Sequence, residues 1–517
     1  MFVGAAFAEQ RTIVTALLDP GRYPHTTKSV KLLETHISWV LLAGRYAYKI
    51  KKAVHPGFLD FTSIESRRFY CGEEIRLNKR LAPMLYLDVV PIGGIPENPV
   101  LGGAPAIEYA VRMRRFASKN RLDLLAGRGE ILPDHLDALA VKIARFHDTL
   151  PPSSATSGFG ADILDVVRIT FNELRIHLDD DISVLEEKLE NEYASCAEIF
   201  ETRLKEGFVR ECHGDLHLGN IALVKGIPVP FDCLEFDPKL RWIDVMNEMA
   251  FPVMDLMHHG RPDFAFRLLN AYLEQTGDYM GMRVFRFYLS CRAIVRAMVD
   301  AMRTEHRSCR SHLALASDIL STRKPFLIIT HGLPGCGKTT FSQSALERFQ
   351  AIRIRSDVER KRLAKLIPQA RSHSDIDAGM YSSEASTRAY SRLLALAREL
   401  LAAGFPVIVD AAFLEHEKRD QFRALARDMT IPFAIASLQA DYPTLKQRIL
   451  ERSKLAIDAS EADLAVLDAK IASYAPLLPE ESHFSAQFCD ATDPAGWKKL
   501  GELLAPKPAM ESSMRAT

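Results

Sequence analysis

The sequence has no CxxC pair: its eight cysteines, among them Cys71, Cys212, Cys291 and Cys489, are scattered without regular spacing. That absence excludes the common disulfide frameworks and zinc-finger spacings and fits reduced thiols. No run approaches the roughly 18 apolar residues needed to cross a bilayer. Neither charge is in excess, since Lys+Arg and Asp+Glu both number 66, which argues against a disordered chain or one that coats nucleic acid. A basic stripe with interleaved aromatics, the mark of a polynucleotide groove, is missing too. The opening MFVGAAFAEQ is apolar but has no basic flank and meets Arg11 at once. It therefore does not read as a signal peptide, and cytoplasmic residence is the expectation.

What is present begins with length: 517 residues, 47% hydrophobic, enough for two or three domains. Residues 326–341 run from an apolar strand pattern through a glycine-rich turn into a helical pattern. From Gly332 to Thr339 they fit G-x-x-x-x-G-K-[ST], a phosphate cradle when strand and helix flank it. Gly332, Gly335 and Gly337 clear the way for backbone N–H groups to approach a triphosphate. Lys338 supplies charge for the β- and γ-phosphates of ATP, and Thr339 a hydroxyl for Mg²⁺, with Thr340 counted beside it as nucleotide-binding. The bland alternative is a glycine-rich turn and nothing more.

Downstream the pattern alternates strand and helix: strands at 352–357, 405–410 and 431–438, and a long helix at 384–403. This implies a parallel sheet covered by helices, with sites at the carboxyl ends of its strands. Asp357 and Asp410 stand at such ends. Asp410 is followed by Ala411 and Ala412 rather than by a second carboxylate, which favours transfer to a substrate over hydrolysis. Asp357 is a candidate general base and Arg360, one turn on, a substrate clamp, with Asp410 also on the substrate side. For Asp357 the competing reading is an N-cap of a helix starting at Val358. Arg448 and Arg452 share a helical face ahead of the polar segment 457–462, which suits a lid bringing guanidinium groups over a transferring phosphoryl. A solvated helix face gives the same spacing.

With GLPGCGKTT (332–340), RSDVERKR (355–362), VIVDAAFL (407–414) and RILERSKLAIDASEA (448–462) in place, the C-terminal part resembles the P-loop kinase family that includes polynucleotide kinases, zeta toxin-like kinases and gluconate kinase-like proteins. That resemblance implies phosphorylation of a hydroxyl, with acceptors ranging from sugars to nucleic-acid ends.

The N-terminal part carries a second constellation. Strand-like runs at 34–43 and 46–52, joined by Gly44-Arg45, predict a β-hairpin with Lys49 and Lys51 on one face. The helical stretch 64–81 carries Glu73 and Glu74, either able to hold a strand lysine. In HGDLHLGN (213–220), His213, Asp215 and Asn220 have the offsets of a kinase catalytic loop, and Asp232 follows an apolar hairpin. Metal binding by His213 and His217, or a polar hairpin cap, are the bland readings.

These residues resemble the aminoglycoside phosphotransferase family, whose following helix is matched by IDVMNEMA (243–250). The resemblance implies a protein-kinase-like fold, with Asp215 as catalytic base, Asn220 and Asp232 as Mg²⁺ ligands and Lys49 as the nucleotide lysine, Lys51 remaining the alternative. The hairpin departs from the kinase pattern in having Gly44 alone and no G-x-G-x-x-G loop.

The expected fold class is therefore an α+β kinase-like domain over 1–320 followed by an α/β P-loop domain over 321–517, linked near 310–325. Residues 261–318 read as packed helices, with Phe285, Phe287 and Tyr288 in the core. The expected function is ATP- and Mg²⁺-dependent phosphotransfer to a small-molecule hydroxyl, with no nucleic-acid, membrane or obligate protein partner. Its rivals are a degenerate kinase domain gating an ATPase, and a toxin-like nucleotide-sugar kinase.

Overall fold

The computed structural model describes residues 5–55, 60–321, 324–367, 382–455, 464–472 and 474–505. The chain forms two compact units: Met1–Ile176 with Ala197–His259, and His177–Cys196 with Gly260–Thr517.

The first unit holds an antiparallel sheet of β1 (Val30–Glu34), β2 (Ser38–Ala43), β3 (Tyr46–Lys51), β4 (Tyr86–Ile95), β5 (Asn98–Leu101) and β6 (Ala106–Arg114), in the order β1-β2-β3-β6-β4-β5. The expected hairpin is β2–β3, with Val40 opposite Lys49 and Ser38 opposite Lys51. It turns at Gly44, whose φ of +56° favours glycine. Alternation along β3 sends Tyr48 and Ile50 into a core with Trp39, Leu41, Ile13 and Val14. Lys49 and Lys51 therefore point to the other face. There the helix Ile64–Asn78, N-capped by Ser63, brings Glu74 inward.

Below the sheet, β7 (Val209–Glu211), the hairpin β8 (Ile221–Val224) with β9 (Ile227–Pro230), and β10 (Trp242–Asp244) carry the loops that follow them. The helix Val245–His258 starts at Asp244, whose carboxylate accepts the Met246 N–H at 2.8 Å.

The second unit is built on five parallel strands: β11 (Leu327–His331), β12 (Ile352–Arg355), β13 (Val407–Asp410), β14 (Phe433–Leu438) and β15 (Ser485–Phe488), in the order β12-β13-β11-β14-β15. All five residues of β11 are buried, as a strand covered on both faces requires. The chain adds β12 and β13 on one side of β11 and β14 and β15 on the other. The carboxyl end of β11 is thus the topological switch point, where sites in such sheets form.

The helices Pro262–Thr276, Met282–Met302 and His306–Ser321 belong to this second unit. The compact units therefore do not follow a 320/321 division, and a specific contact explains why. β12 is an edge strand, and Asn270 covers its edge: Nδ2 donates to the Ala351 carbonyl at 2.9 Å and Oδ1 accepts the Arg353 N–H at 2.7 Å. Phe285, Phe287 and Tyr288 are buried, in keeping with their spacing. Among the described residues no helix is long and apolar enough to cross a membrane.

Candidate functional site

Each unit assembles one site. In the second, β11 runs straight into the glycine turn and the helix Lys338–Phe349. Gly332 and Gly335 adopt φ of +145° and +84°. A Cβ on Gly332 would come within 2.5 Å of the Leu438 carbonyl, and one on Gly335 within 3.0 Å of the Leu445 carbonyl. Side chains are excluded, so the turn is a cradle lined by backbone at a helix N-terminus, which fits a nucleotide's phosphates. Lys338 Nζ lies over the same turn, donating to the carbonyls of Gly332 and Leu333 at 2.9 Å. Gly337 is the residue before the helix, and Thr339 and Thr340 form its first turn.

Asp410, expected on the substrate side, instead reaches the P-loop helix: its Oδ2 accepts from Ser342 Oγ at 2.9 Å. Ser342 lies one turn beyond Thr339, and a carboxylate there is the kind of oxygen donor Mg²⁺ takes. Asp357 is not an N-cap: its helix is Ser356–Leu363, and Arg355 precedes it. It occupies the first turn instead, where a carboxylate complements the helix dipole. Arg360 follows on that helix, and both charges bear on Tyr390, whose hydroxyl burial pushes up to about 12. Arg448 Nη1 reaches the Gly335 carbonyl at 3.4 Å, which brings a guanidinium to the cradle. The Arg452 side chain and segment 457–462 lie outside the described residues.

Two neighbours of this site carry no sequence signal. His331, buried at the end of β11, bonds Ser437 Oγ through Nδ1 at 3.0 Å. Burial, with the Arg419 charge, lowers its pKa to about 4, so the ring is neutral. Arg419 makes a buried bidentate pair with Glu481 at 2.7 Å and donates to the Phe413 and Leu414 carbonyls, fixing the loop after β13.

In the first unit, Lys49 Nζ lies 2.5 Å from Asp232 Oδ1 and 2.9 Å from Glu74 Oε1. Lys51 Nζ binds the other oxygen of Glu74 at 2.8 Å and also Glu235. One carboxylate thus holds both strand lysines. Lys51 is fully enclosed, whereas 12% of the Lys49 side chain is exposed, so Lys49 is the one at the edge of the site. Burial opposes its charge, but Asp232, Glu74 and Glu235 outweigh burial and hold the ammonium well above its ordinary value. Asp232 is correspondingly lowered: Lys49 overcomes the penalty of burial. Its φ of +65° is a strained conformation for a non-glycine residue. The turn is kept there by the Tyr86 hydroxyl, which accepts the Asp232 N–H at 3.0 Å, and by Asn78 Oδ1, which accepts the Cys233 N–H at 2.9 Å.

The residues of the 213–220 loop come together as their spacing implies. Asn220 Nδ2 donates to the Asp215 carbonyl at 2.9 Å and to its carboxylate at 3.0 Å. With its donors directed at Asp215, Oδ1 is the atom Asn220 can offer a cation. Asp215, Asn220 and Asp232 together are hard oxygen donors of the kind Mg²⁺ takes.

The loop itself is held by a residue that spacing does not flag. Glu248, fully buried, accepts the N–H groups of His213 at 2.6 Å and Gly214 at 3.0 Å, and Asp255 accepts that of Leu218 at 2.8 Å. His213 places Nε2 2.9 Å from the Phe231 carbonyl, and its Nδ1 accepts the Asp215 N–H. His217 Nδ1 accepts from Gly219. Both nitrogens of His213 and the Nδ1 of His217 are thus committed to the loop. His147, Cys212 and Glu248 lie within 4.8 Å of one another, but both oxygens of Glu248 are already occupied by the loop.

An antiparallel sheet with a lysine–glutamate pair, the 213–220 loop and a carboxylate turn defines a protein-kinase-like fold in the first unit. The parallel sheet with its phosphate cradle defines a P-loop kinase fold in the second. A family model described as an AAA domain matches residues 327–477. The uncharacterized protein Rv2004c of Mycobacterium tuberculosis is 32% identical over 458 residues, spanning 86% of this chain and 91% of its own length. The chain belongs to the family of that mycobacterial protein. Among solved structures, the GDP complex of wild-type aminoglycoside 2'-phosphotransferase-IIIa is 13% identical with a TM-score of 0.35, covering 62% of this chain and 99% of its own. Kti12 of Chaetomium thermophilum in complex with ADP-AlF3 is 16% identical with a TM-score of 0.27, covering 35% and 100%. Neither likeness bears on activity.

Proposed function

We propose that the chain is a cytoplasmic bifunctional phosphotransferase, each unit transferring the γ-phosphoryl of ATP, with Mg²⁺, to a hydroxyl of a small-molecule acceptor. Two arrangements support this reading: in the first unit Lys49 meets Asp232 and Glu74 while Asn220 meets Asp215, and in the second Lys338 lies over the glycine turn while Asp410 reaches the helix that follows it. These groups come from segments distant in sequence.

In the first unit Lys49 orients the nucleotide phosphates and Asn220 and Asp232 hold Mg²⁺. Asp215 accepts the acceptor's hydroxyl proton as that oxygen bonds to the γ-phosphorus and the bond to the β-bridging oxygen breaks, releasing ADP. In the second, Lys338 and the glycine cradle hold the phosphates and Thr339 and Asp410 face the cation. Asp357 takes the proton, Arg360 clamps the acceptor, and Arg448, with Arg452 on the same helix, neutralises charge on the phosphoryl. Bound Mg²⁺ supplies neutralisation of the phosphate oxygens.

The lone Gly44 of the β2–β3 hairpin favours a second reading, in which the first unit binds a ligand and regulates the other. Calorimetric titration with a Mg²⁺–nonhydrolysable ATP analogue separates the two. The bifunctional reading expects two sites in the wild type and one in Lys49→Ala and in Lys338→Ala. A single site, lost only in Lys338→Ala, contradicts it.

A further inference from the structure

In the first unit, the turn that carries Asp232 is gripped by side chains 146 and 155 residues distant in sequence. Four consecutive N–H groups there each find a different acceptor. The outer two go to main chain of the 213–220 loop: the Phe231 N–H to the Asn220 carbonyl at 2.8 Å and the Leu234 N–H to that of His213 at 3.0 Å. Between them the chain passes through the left-handed conformation of Asp232, φ +65°, and the inner two N–H groups are taken by side chains instead. The Tyr86 hydroxyl, on β4, accepts that of Asp232 at 3.0 Å, and Asn78 Oδ1, at the end of the helix Ile64–Asn78, accepts that of Cys233 at 2.9 Å. Asn78 is fixed in its turn, its Nδ2 donating to the Glu74 carbonyl at 2.9 Å. Tyr86 and Asn78 are both buried. The helix that supplies Glu74 to Lys49 thus also grips the turn that supplies Asp232 to it.

A left-handed φ at a non-glycine residue persists where its surroundings over-determine it. Here that conformation aims a carboxylate. Asp232 Oδ1 lies 2.5 Å from Lys49 Nζ, whereas Oδ2 has no protein partner among the described residues and 42% of the side chain is exposed. We infer that Tyr86 and Asn78 are positioning residues for Asp232, fixing the turn so that one carboxylate oxygen serves Lys49 and the other is left for Mg²⁺. This rests on the reading of Asp232 as a Mg²⁺ ligand of the first unit. Both residues act through the main chain of the turn. Without either acceptor a buried N–H is left without a partner, and the turn relieves that cost by rotating toward commoner conformations. Rotation carries the Asp232 carboxylate with it. Glu74 still holds Lys49 at 2.9 Å, so the cation loses its ligand while the phosphate lysine stays in place.

The test is binding of a mant-labelled nonhydrolysable ATP analogue to the full chain as MgCl₂ is varied, scored as the part of the signal lost in Lys49→Ala. Tyr86→Phe keeps the ring and removes only the accepting oxygen. Its Mg²⁺ half-saturation is expected to rise about tenfold, the usual cost of losing a group that orients a metal ligand, while affinity measured in EDTA changes little because Lys49 keeps Glu74. Asn78→Ala is expected to shift the half-saturation in the same direction. A folded Tyr86→Phe with the wild-type half-saturation, whatever its melting temperature, overturns the inference and leaves the hydroxyl as a partner for a buried N–H and nothing more. Equal weakening with and without Mg²⁺ overturns it too. Should Tyr86→Phe fail to fold, Asn78→Ala decides by the same measurement and the same two outcomes. A wild type without any Lys49-dependent signal removes the nucleotide reading of this unit, and a Lys49-dependent signal indifferent to Mg²⁺ removes the metal reading; both are distinct from the results that bear on Tyr86 and Asn78.

Discussion

Lys49 and Asp232, 183 residues apart in sequence, meet at 2.5 Å. One comes from a hairpin strand and the other from a strained turn after β9. Glu74 completes the arrangement by holding Lys49 with one oxygen and Lys51 with the other. The two lysines share a face and a partner, yet they are exposed to different degrees, and their replacements separate.

Lys49→Ala should lower the first unit's acceptor-dependent activity by about a hundredfold or more, with a smaller fall in melting temperature than a Lys51 replacement, since Glu74 keeps Lys51 and the Asp232 side chain is 42% exposed. Lys51→Met should do the opposite first: it leaves Glu235 and one oxygen of Glu74 buried without their cation, at about 3 kcal/mol or more. Thermal unfolding alongside steady-state kinetics distinguishes the two. Loss of activity without loss of stability in Lys51→Met would exchange their roles.

Glu248→Gln should loosen the 213–220 loop. An amide has one acceptor oxygen and must turn its NH₂ toward one of the two N–H groups that the carboxylate now accepts, costing about 1–3 kcal/mol. Hydrogen exchange should quicken in peptides covering 212–220, and kcat of the first unit should fall. Unchanged exchange there would show that Glu248 does not hold the loop.

Arg448→Ala should lower kcat of the Lys338-dependent reaction by about a thousandfold, the scale of an arginine that neutralises a transferring phosphoryl, while KM for ATP moves little. A change confined to KM would make Arg448 a nucleotide-binding residue instead.

His331 gives the second unit a pH dependence of stability. Its folded pKa is lowered to about 4 from 6.5, so the unfolded chain binds the proton more readily. The stabilisation is full above about 6.5 and is lost as pH falls toward about 4. Melting temperature measured from pH 7 to 4.5 should therefore fall more steeply in the wild type than in His331→Gln. Parallel slopes would contradict the buried neutral ring.

The geometry of both candidate sites was legible in the sequence where chemistry and spacing coincide. The glycines of 332–337 announce a turn that tolerates no Cβ, and the offsets of Asp215 and Asn220 survive because a short loop fixes them. Period-two alternation put Lys49 and Lys51 on one face. What the sequence did not show is set by packing between distant segments. Glu248 and Glu235 look like ordinary helix or loop carboxylates until the fold buries them against their partners. Helical periodicity in 262–276 shows an apolar face but not the partner it covers, and Asn270 capping the edge of β12 is what joins it to the P-loop sheet. Asp357 was open between base and N-cap because the start of its helix at Ser356 depends on where β12 ends.

The most direct test of two independent phosphotransfer sites is mass-spectrometric detection of phosphorylated acceptors, with matched ADP release, from a panel of aminoglycosides, amino alcohols and sugars. It compares wild type with Asp215→Asn and Lys338→Ala. Two kinases predict that each substitution removes the phosphorylation of a different acceptor and leaves the other intact. ADP release that ignores every acceptor and responds only to Lys338→Ala would contradict that and leave a regulated ATPase.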